Sequence, residues 1–309
     1  MLSFDPDQDI LDLAGKTVFI TGGTAGLGEQ TVLALSKHNP KHIYFTGRNA
    51  ARASSIISQV RTISKTEVTF LECDQSSLVS VSKAASQFLA KEDYLDILIC
   101  NAGVMGIPAA LTKDGYEIQF GINHISHALF VDMFLPSLEK SFQRSADARV
   151  IFVASLGATH TPPGGISFQT LKKKQENLGV TAKWMRYGQS KLANILYAYE
   201  LAKRYPWLTT VSLEPGTVWT GLLSNLGWVD RMLLWMGTWW KTYALHEGAY
   251  NSCWAATAER KEIESGKMYQ PVGVRVRSIS YMEDSDLAAK LWEWTKEELA
   301  SQSESNLDL

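Results

Sequence analysis

The stretch Thr17-Val18-Phe19-Ile20-Thr21-Gly22-Gly23-Thr24-Ala25-Gly26-Leu27-Gly28 decides how this chain reads. An apolar run of strand type, Thr17–Ile20, leads straight into a glycine-rich turn, and a helical pattern over Gln30–Ser36 follows. Glycines let such a turn tighten and let backbone amides come close to a pyrophosphate, whose negative charge the amino end of a helix favours. A glycine cluster elsewhere would be a weak sign. Between a first strand and a helix it predicts a dinucleotide cradle made by Gly22, Thr24, Gly26, Leu27 and Gly28. The spacing is T-G-x-x-x-G-x-G, not the commoner G-x-G-x-x-G.

Downstream, short apolar runs alternate with helix-length segments. The strand candidates are Thr17–Ile20, His42–Thr46, Glu67–Glu72, Ile97–Cys100, Arg149–Ala154, Thr210–Glu214 and Lys267–Gln270, and Gln30–Ser36, Leu78–Ala90, Tyr116–Leu138 and Lys191–Arg204 read as helices. Such alternation predicts an α/β fold, a Rossmann-type doubly wound parallel sheet buried on both faces. No internal repeat, low-complexity tract or proline-rich linker divides it. Residues 1–309 therefore read as a single domain, with 1–14 as an N-terminal extension and a polar, frayed tail over 300–309.

With 45% hydrophobic residues in 309, the chain can bury a large core. Its 30 basic and 32 acidic residues nearly cancel, so no overall field points to nucleic acid or an anionic membrane, and a small-molecule partner is the simplest expectation. Cys73, Cys100 and Cys253 are too few and too scattered for a disulfide framework or a zinc site, which fits buried thiols in a reducing compartment. Met1–Ala14 carries four aspartates and no basic lead into an apolar run, unlike a signal peptide. No stretch reaches the roughly 18 uncharged apolar residues of a spanning helix. A soluble, cytoplasmic protein is expected.

The second strand candidate ends in Thr46-Gly47-Arg48-Asn49, where NAD-specific proteins usually place an acidic residue on the adenosine ribose. A guanidinium there can bind a 2′-phosphate through charge-assisted hydrogen bonds and stack on adenine, which favours NADP(H); otherwise Arg48 is a solvated loop residue. Asp74, after the third strand, can accept from the adenine amino group or cap the helix that starts after Gln75. In Tyr187-Gly188-Gln189-Ser190-Lys191 a phenol and an ammonium sit at i and i+4, on one face of a helix. A cation beside a phenol brings its pKa down towards the working range, so Tyr187 can give or take an alcohol proton. Such a pair alone is as easily an amphipathic surface pair.

The neighbours decide it, because with them the chain resembles the short-chain dehydrogenase/reductase family along nearly its whole length. Asn101-Ala102-Gly103 resembles the N-A-G element lining that family's cofactor cleft, and Asn123 falls where the family has a helix asparagine that holds a water in the proton relay. Ser155, in Val153-Ala154-Ser155, matches the serine that orients the substrate carbonyl, although Ala154 stands where many members have a first serine. Pro215-Gly216-Thr217-Val218-Trp219-Thr220 is similar to the P-G-x-V-x-T segment that fixes the nicotinamide. The resemblance implies Asn123, Ser155, Tyr187 and Lys191 as the catalytic set. It adds Asn101, Ala102, Gly103, Pro215, Gly216, Val218 and Thr220 to the cofactor contacts. His124, His127 and His160 read as packed or solvated residues with no metal-ligand pattern.

The run Tyr187 to Leu196 and the ending Leu291-Trp292-Glu293-Trp294 are most similar to retinol-dehydrogenase-like members. Those relatives act on lipophilic carbonyls and alcohols, and a steroid, terpenoid or polyketide ketone fits as well as a retinoid. A substrate lid is expected at about 219–247, where Trp228, Met232, Trp235, Met236, Trp239, Trp240 and Tyr243 recur at helical spacing. That stripe is core, the wall of a bulky apolar ligand's site, or a face lying on a membrane surface. The expected activity is hydride transfer between NADP(H) and a bulky lipophilic ketone or secondary alcohol. The rivals are an idle NADP(H)-binding protein and an isomerase or epimerase on the same scaffold. The family also brings a homodimer or homotetramer into view, unless the lid covers the interface.

Overall fold

Strand β1 (Thr17–Ile20) has no exposed side chain, so it needs cover on both faces. Alternate side chains leave a strand on opposite sides, and here they enter two separate cores. Phe19, Leu98, Cys100, Val150 and Phe152 join one core, and Val18, Ile20, Ile97, Ile99, Ile151 and Val153 join the other. The remaining strands of the main sheet are β2 (His42–Gly47), β3 (Glu67–Glu72), β4 (Ile97–Cys100), β5 (Arg149–Val153), β6 (Thr209–Leu213), and then β9 (Met268–Gln270) and β10 (Val274–Arg275). A short pair, β7 (Thr217–Val218) and β8 (Thr242–Tyr243), stands apart from it. Across the sheet the order is β10-β9-β6-β5-β4-β1-β2-β3, parallel except for β10 against β9. This single-domain α/β Rossmann-type fold is the one the sequence predicts. The computed structural model describes residues 4–179, 181–218 and 242–305.

The helices are α1 (Pro6–Asp9), α2 (Gly26–Ser36), α3 (Ala50–Ile63), α4 (Leu78–Leu89), α5 (Ile118–Phe120), α6 (Ser126–Ser145), α7 (Ala182–Arg204), α8 (Tyr250–Thr257) and α9 (Ser285–Ser305). Several depart from the sequence expectation. Helix α3 was not expected; Asn49 starts it by accepting from the Arg52 amide, and it buries only Ala53, Ile56 and Val60. The continuous helix expected over Tyr116–Leu138 is broken by a π turn at Gly121–Ile125. Helix α7 begins nine residues before Lys191, so Tyr187 and Lys191 both lie within it. Residues 300–305 of the expected tail continue α9, and 306–309 lie outside the described residues. Of the N-terminal extension, Phe4, Ile10 and Leu13 are buried in the core. Among the described residues no helix is long and apolar enough to cross a membrane.

A buried ion pair anchors the amino-terminal part of α7. Arg186 Nε lies 3.2 Å from Glu117 Oε1, with the two side chains 4% and 0% exposed. The guanidinium also donates to the carbonyls of Gln175 at 3.1 Å and Ile107 at 3.2 Å, tying two loops to the turn before Tyr187. Burial pushes the Glu117 carboxyl up to about 7, against the pull of the Phe120 and Gln119 amides and of Arg186. Removing one partner of such a pair strands the other charge in the core. Arg186→Met is expected to cost roughly 3 kcal/mol, the lower end of the usual range, because Glu117 can escape by taking a proton. Urea unfolding at pH 7 measures it, and an unchanged midpoint would refute a structural role for the pair.

Candidate active site

At the carboxyl end of β1 the chain turns through Gly22 and Gly26, whose φ angles of +68° and +59° lie in the left-handed region that favours glycine. A Cβ on Gly28 would lie 2.4 Å from the Gly22 carbonyl oxygen, so no other residue fits there. Asn101 locks the turn from the end of β4. Its side-chain amide donates to the Thr21 carbonyl at 2.8 Å, while the Asn101 and Ala102 amides donate to Thr21 Oγ1 at 2.9 and 3.0 Å. Helix α2 starts after Ala25 without a side-chain cap, which leaves its first amides free to receive an anion. Thr24 packs on Gly47, where a Cβ would come within 2.3 Å of its hydroxyl, and the next residue, Arg48, is exposed at the tip of β2. The turn, the open helix end and the adjacent guanidinium fit a dinucleotide phosphate chain.

Asp74 is engaged locally. Its Oδ1 accepts from the Ser76 amide at 3.1 Å and the Ser76 hydroxyl at 2.7 Å, and its Oδ2 pairs with Lys113 at 3.0 Å. It does not cap α4; Ser77 does, by accepting from the Ser80 amide.

Tyr187 and Lys191 line one face of α7 where it packs against β5 and β6. Lys191 Nζ donates to the Val153 carbonyl at 2.7 Å and sits 5.8 Å from the centre of the Tyr187 ring. Ser155 Oγ and the Tyr187 ring both stand against Gly157, where a Cβ would lie 3.4 Å from the first and 3.1 Å from the second. The close approach rests on two glycines. A Cβ on Gly188 would fall 2.0 Å from the His160 carbonyl oxygen, and one on Gly157 would fall 3.1 Å from the Tyr187 ring. One on Gly103 would lie 3.1 Å from Asn123 Oδ1 and 3.5 Å from Lys191 Nζ, which shows how near these groups come.

Asn123 stands in the π turn with both protons of its side-chain amide engaged and one lone pair left on Oδ1. Oδ1 accepts from the Val104 amide at 2.8 Å, and Nδ2 donates to the Val104 carbonyl at 2.9 Å and to Ser190 Oγ at 2.8 Å. A water can be held by the free Oδ1 lone pair or by the backbone oxygen of Asn123, which His127 Nδ1 approaches at 2.8 Å. A carbonyl only accepts, so His127 carries its proton on Nδ1 and offers Nε2 as acceptor to Thr21 Oγ1 at 2.8 Å. Burial drives His124 and His127 down to about 3, so both are neutral packing residues; His160 is exposed.

Glu214 was absent from the expected site. It follows β6 directly, and its carboxylate accepts from the Leu156 amide through Oε2 and from the Gly216 amide at 3.1 Å through Oε1. The bond to the Leu156 amide sets the carboxyl beside Ser155, and its charge acts on Lys191 and Tyr187. Burial pushes its pKa above the ordinary carboxylate range. Against the expectation that the nearby cation brings the phenol down, burial raises Tyr187, with Glu214 adding to the rise, and it lowers Lys191 to about 8, with Glu214 opposing the fall. One signal was available: an acidic residue at the carboxyl end of a buried parallel strand, the edge where ligands bind in this architecture.

Pro215, Gly216 and Val218 follow at the same edge, and Tyr243 packs on Gly216, where a Cβ would lie 2.6 Å from its ring. Thr220 and the stripe residues Trp228, Met232, Trp235, Met236, Trp239 and Trp240 lie outside the described residues. Among the described residues no cluster of His, Cys, Asp or Glu could hold a metal ion.

Residues 16–174 match the family model described as short chain dehydrogenase. The chain is 41% identical over 220 residues to an uncharacterized oxidoreductase of Schizosaccharomyces pombe, spanning 70% of this chain and 64% of that protein. It is 33% identical to retinol dehydrogenase 11 of Homo sapiens, over 95% of this chain and 88% of that one. Among solved structures, an uncharacterized protein from Mycobacterium paratuberculosis superposes with a TM-score of 0.73 at 25% identity, covering 96% of this chain and 97% of that one.

Proposed function

The chain belongs to the short-chain dehydrogenase/reductase family of oxidoreductases, and on that premise we propose that it moves a hydride between NADP(H) and a bulky lipophilic ketone or secondary alcohol. The observation that carries the reading is the grouping of Ser155 and Tyr187 against Gly157, with the Lys191 ammonium 5.8 Å from the Tyr187 ring. A bound nicotinamide supplies the hydride. In the reduction direction Tyr187 passes its hydroxyl proton to the substrate oxygen as negative charge develops there, and Ser155 orients that oxygen. Lys191 stabilises the phenolate left behind. Asn123 holds the Val104 loop against Ser190, and its free Oδ1 lone pair or backbone oxygen is the place for a water that returns the proton. Gly22, Thr24, Gly26, Leu27, Gly28, Asn101, Ala102, Gly103, Pro215, Gly216, Val218 and Thr220 form the cofactor bed in this reading, and Asp74 its adenine edge.

A panel of bulky ketones assayed with NADPH and NADH side by side tests the reading; failure to oxidise either cofactor with any of them would reject it. The choice of NADP(H) rests on Arg48. Losing a charge-assisted contact to the 2′-phosphate is expected to raise the KM for NADPH about 10–100-fold in Arg48→Ala and to leave that for NADH within a few-fold. A wild type that prefers NADH, or equal effects on both cofactors, would refute the assignment.

A further inference from the structure

The Glu214 carboxyl stands at the reaction centre, and the proton path from Tyr187 does not use it. We propose that Glu214 is a positioning residue that sets where the Ser155 hydroxyl points its proton: toward the substrate oxygen when Glu214 is protonated, and away from it when Glu214 is ionised. The inference rests on the oxidoreductase reading given above.

The argument is a count of hydrogen-bonding capacity. A serine hydroxyl has one proton and two lone pairs. The Gly157 amide donates to Ser155 Oγ at 3.1 Å and occupies one lone pair. One proton and one lone pair then remain for three neighbours: Tyr187, whose ring flanks Gly157 together with Ser155 Oγ, Glu214, whose carboxyl is held on the amide of the next residue, Leu156, and the substrate oxygen. An ionised carboxylate only accepts, so it takes the Ser155 proton in a charge-assisted bond. The serine can then only accept, from Tyr187 or from a substrate alcohol. A protonated Glu214 instead donates into the free lone pair and releases the Ser155 proton to a carbonyl.

The carboxyl is held for this in either state. The Leu156 and Gly216 amides each use one of its oxygens, and each oxygen keeps a second lone pair. The residue's own backbone is clamped as well: its amide donates to the Tyr269 carbonyl at 2.8 Å, and its carbonyl accepts from Asn251 Nδ2 at 2.8 Å. Among the described residues, the ionisable groups acting on it are Lys191 and Tyr187, both from α7. The 155–157 turn, residues 215–216 and α8 contribute hydroxyl and amide groups, not charge. Burial shifts its protonation toward neutral pH, and the amides, Ser155 and Lys191 moderate that shift.

The test is kcat/KM for ketone reduction with NADPH against pH, below the pH at which Lys191 deprotonates, in wild type and Glu214→Gln. The glutamine cannot ionise, and its NH2 can donate to Ser155, although that NH2 cannot accept from whichever of the Leu156 and Gly216 amides faces it. The wild-type value is expected to fall about tenfold as pH rises, the worth of one hydrogen bond, and the variant's profile to stay flat. An unchanged profile in Glu214→Gln overturns the proposal. A second arm needs no turnover: the infrared carbonyl band of a protonated carboxyl, read across pH in the full chain. It should vanish in Glu214→Gln, persist in Glu117→Gln and shift in Ser155→Ala. No Glu214-dependent band, or one indifferent to Ser155, overturns the proposal. If the ketone panel shows no turnover while this band behaves as expected, the functional reading fails and the hydrogen-bond switch stands.

Discussion

Tyr187→Phe is expected to lower kcat for ketone reduction at saturating NADPH by about 10³-fold, within the range a positioned general acid contributes, while NADPH affinity changes by no more than a few-fold. The substitution keeps the ring that packs beside Gly157 and removes only the hydroxyl. Burial and the neighbouring Glu214 both raise the phenol's pKa, so at neutral pH it is a proton donor ready for a developing alkoxide. Little else nearby can replace it. His124 and His127 are neutral and held in the core, and Lys191 is committed to the Val153 carbonyl. Losing one hydrogen bond costs about 1 kcal/mol, so the fold should survive and circular dichroism should be unchanged. Near-normal turnover in this variant would sink the proposed mechanism.

Lys191→Met is expected to lower kcat/KM at pH 7 by about 10²-fold or more, the loss of a close cation that stabilises the phenolate. Methionine matches the length of the aliphatic stem, so the change isolates the ammonium. The sign of the pH effect follows from the direction of the shift. Burial lowers Lys191 to about 8, so it is charged below that pH and loses its charge above it. Wild-type activity should therefore decline through an alkaline limb near pH 8, and in Lys191→Met that limb should be missing. An alkaline limb unchanged in the variant would assign it to another group. The carboxylate of Glu214, which by itself would raise the lysine, does not undo the burial effect; Lys191 is 4% exposed.

The parts of the fold legible in the sequence are those set by neighbours along the chain. The continuous burial of β1, β4 and β5, the glycine turn before α2, and the i, i+4 placement of Tyr187 and Lys191 all follow from local sequence pattern. Helix α3 was hidden because its buried face is only Ala53, Ile56 and Val60 among serines and arginines. The π turn that carries Asn123 was hidden for another reason: it is a change in hydrogen-bond register within a run of helical residues, stabilised by contacts to Val104 and Ser190. Gly188 was visible in its motif, but its reason was not. The carbonyl it avoids belongs to His160, which follows a different strand.

Glu214 marks the boundary most clearly. Local pattern marked the glycine turn, Arg48 and the Tyr187–Lys191 pair, and the resemblance to one family joined Ser155 to them, because helix and strand periods and motif order are properties of the chain itself. Which groups touch Ser155, which way the lysine's pKa moves, and that a carboxylate 59 positions after the serine stands beside it were decided by folding. Hydrogen-bond partners and pKa values depend on burial and on atoms a few ångströms apart in space, and only the packing of β5, β6 and α7 against one another brings those atoms together.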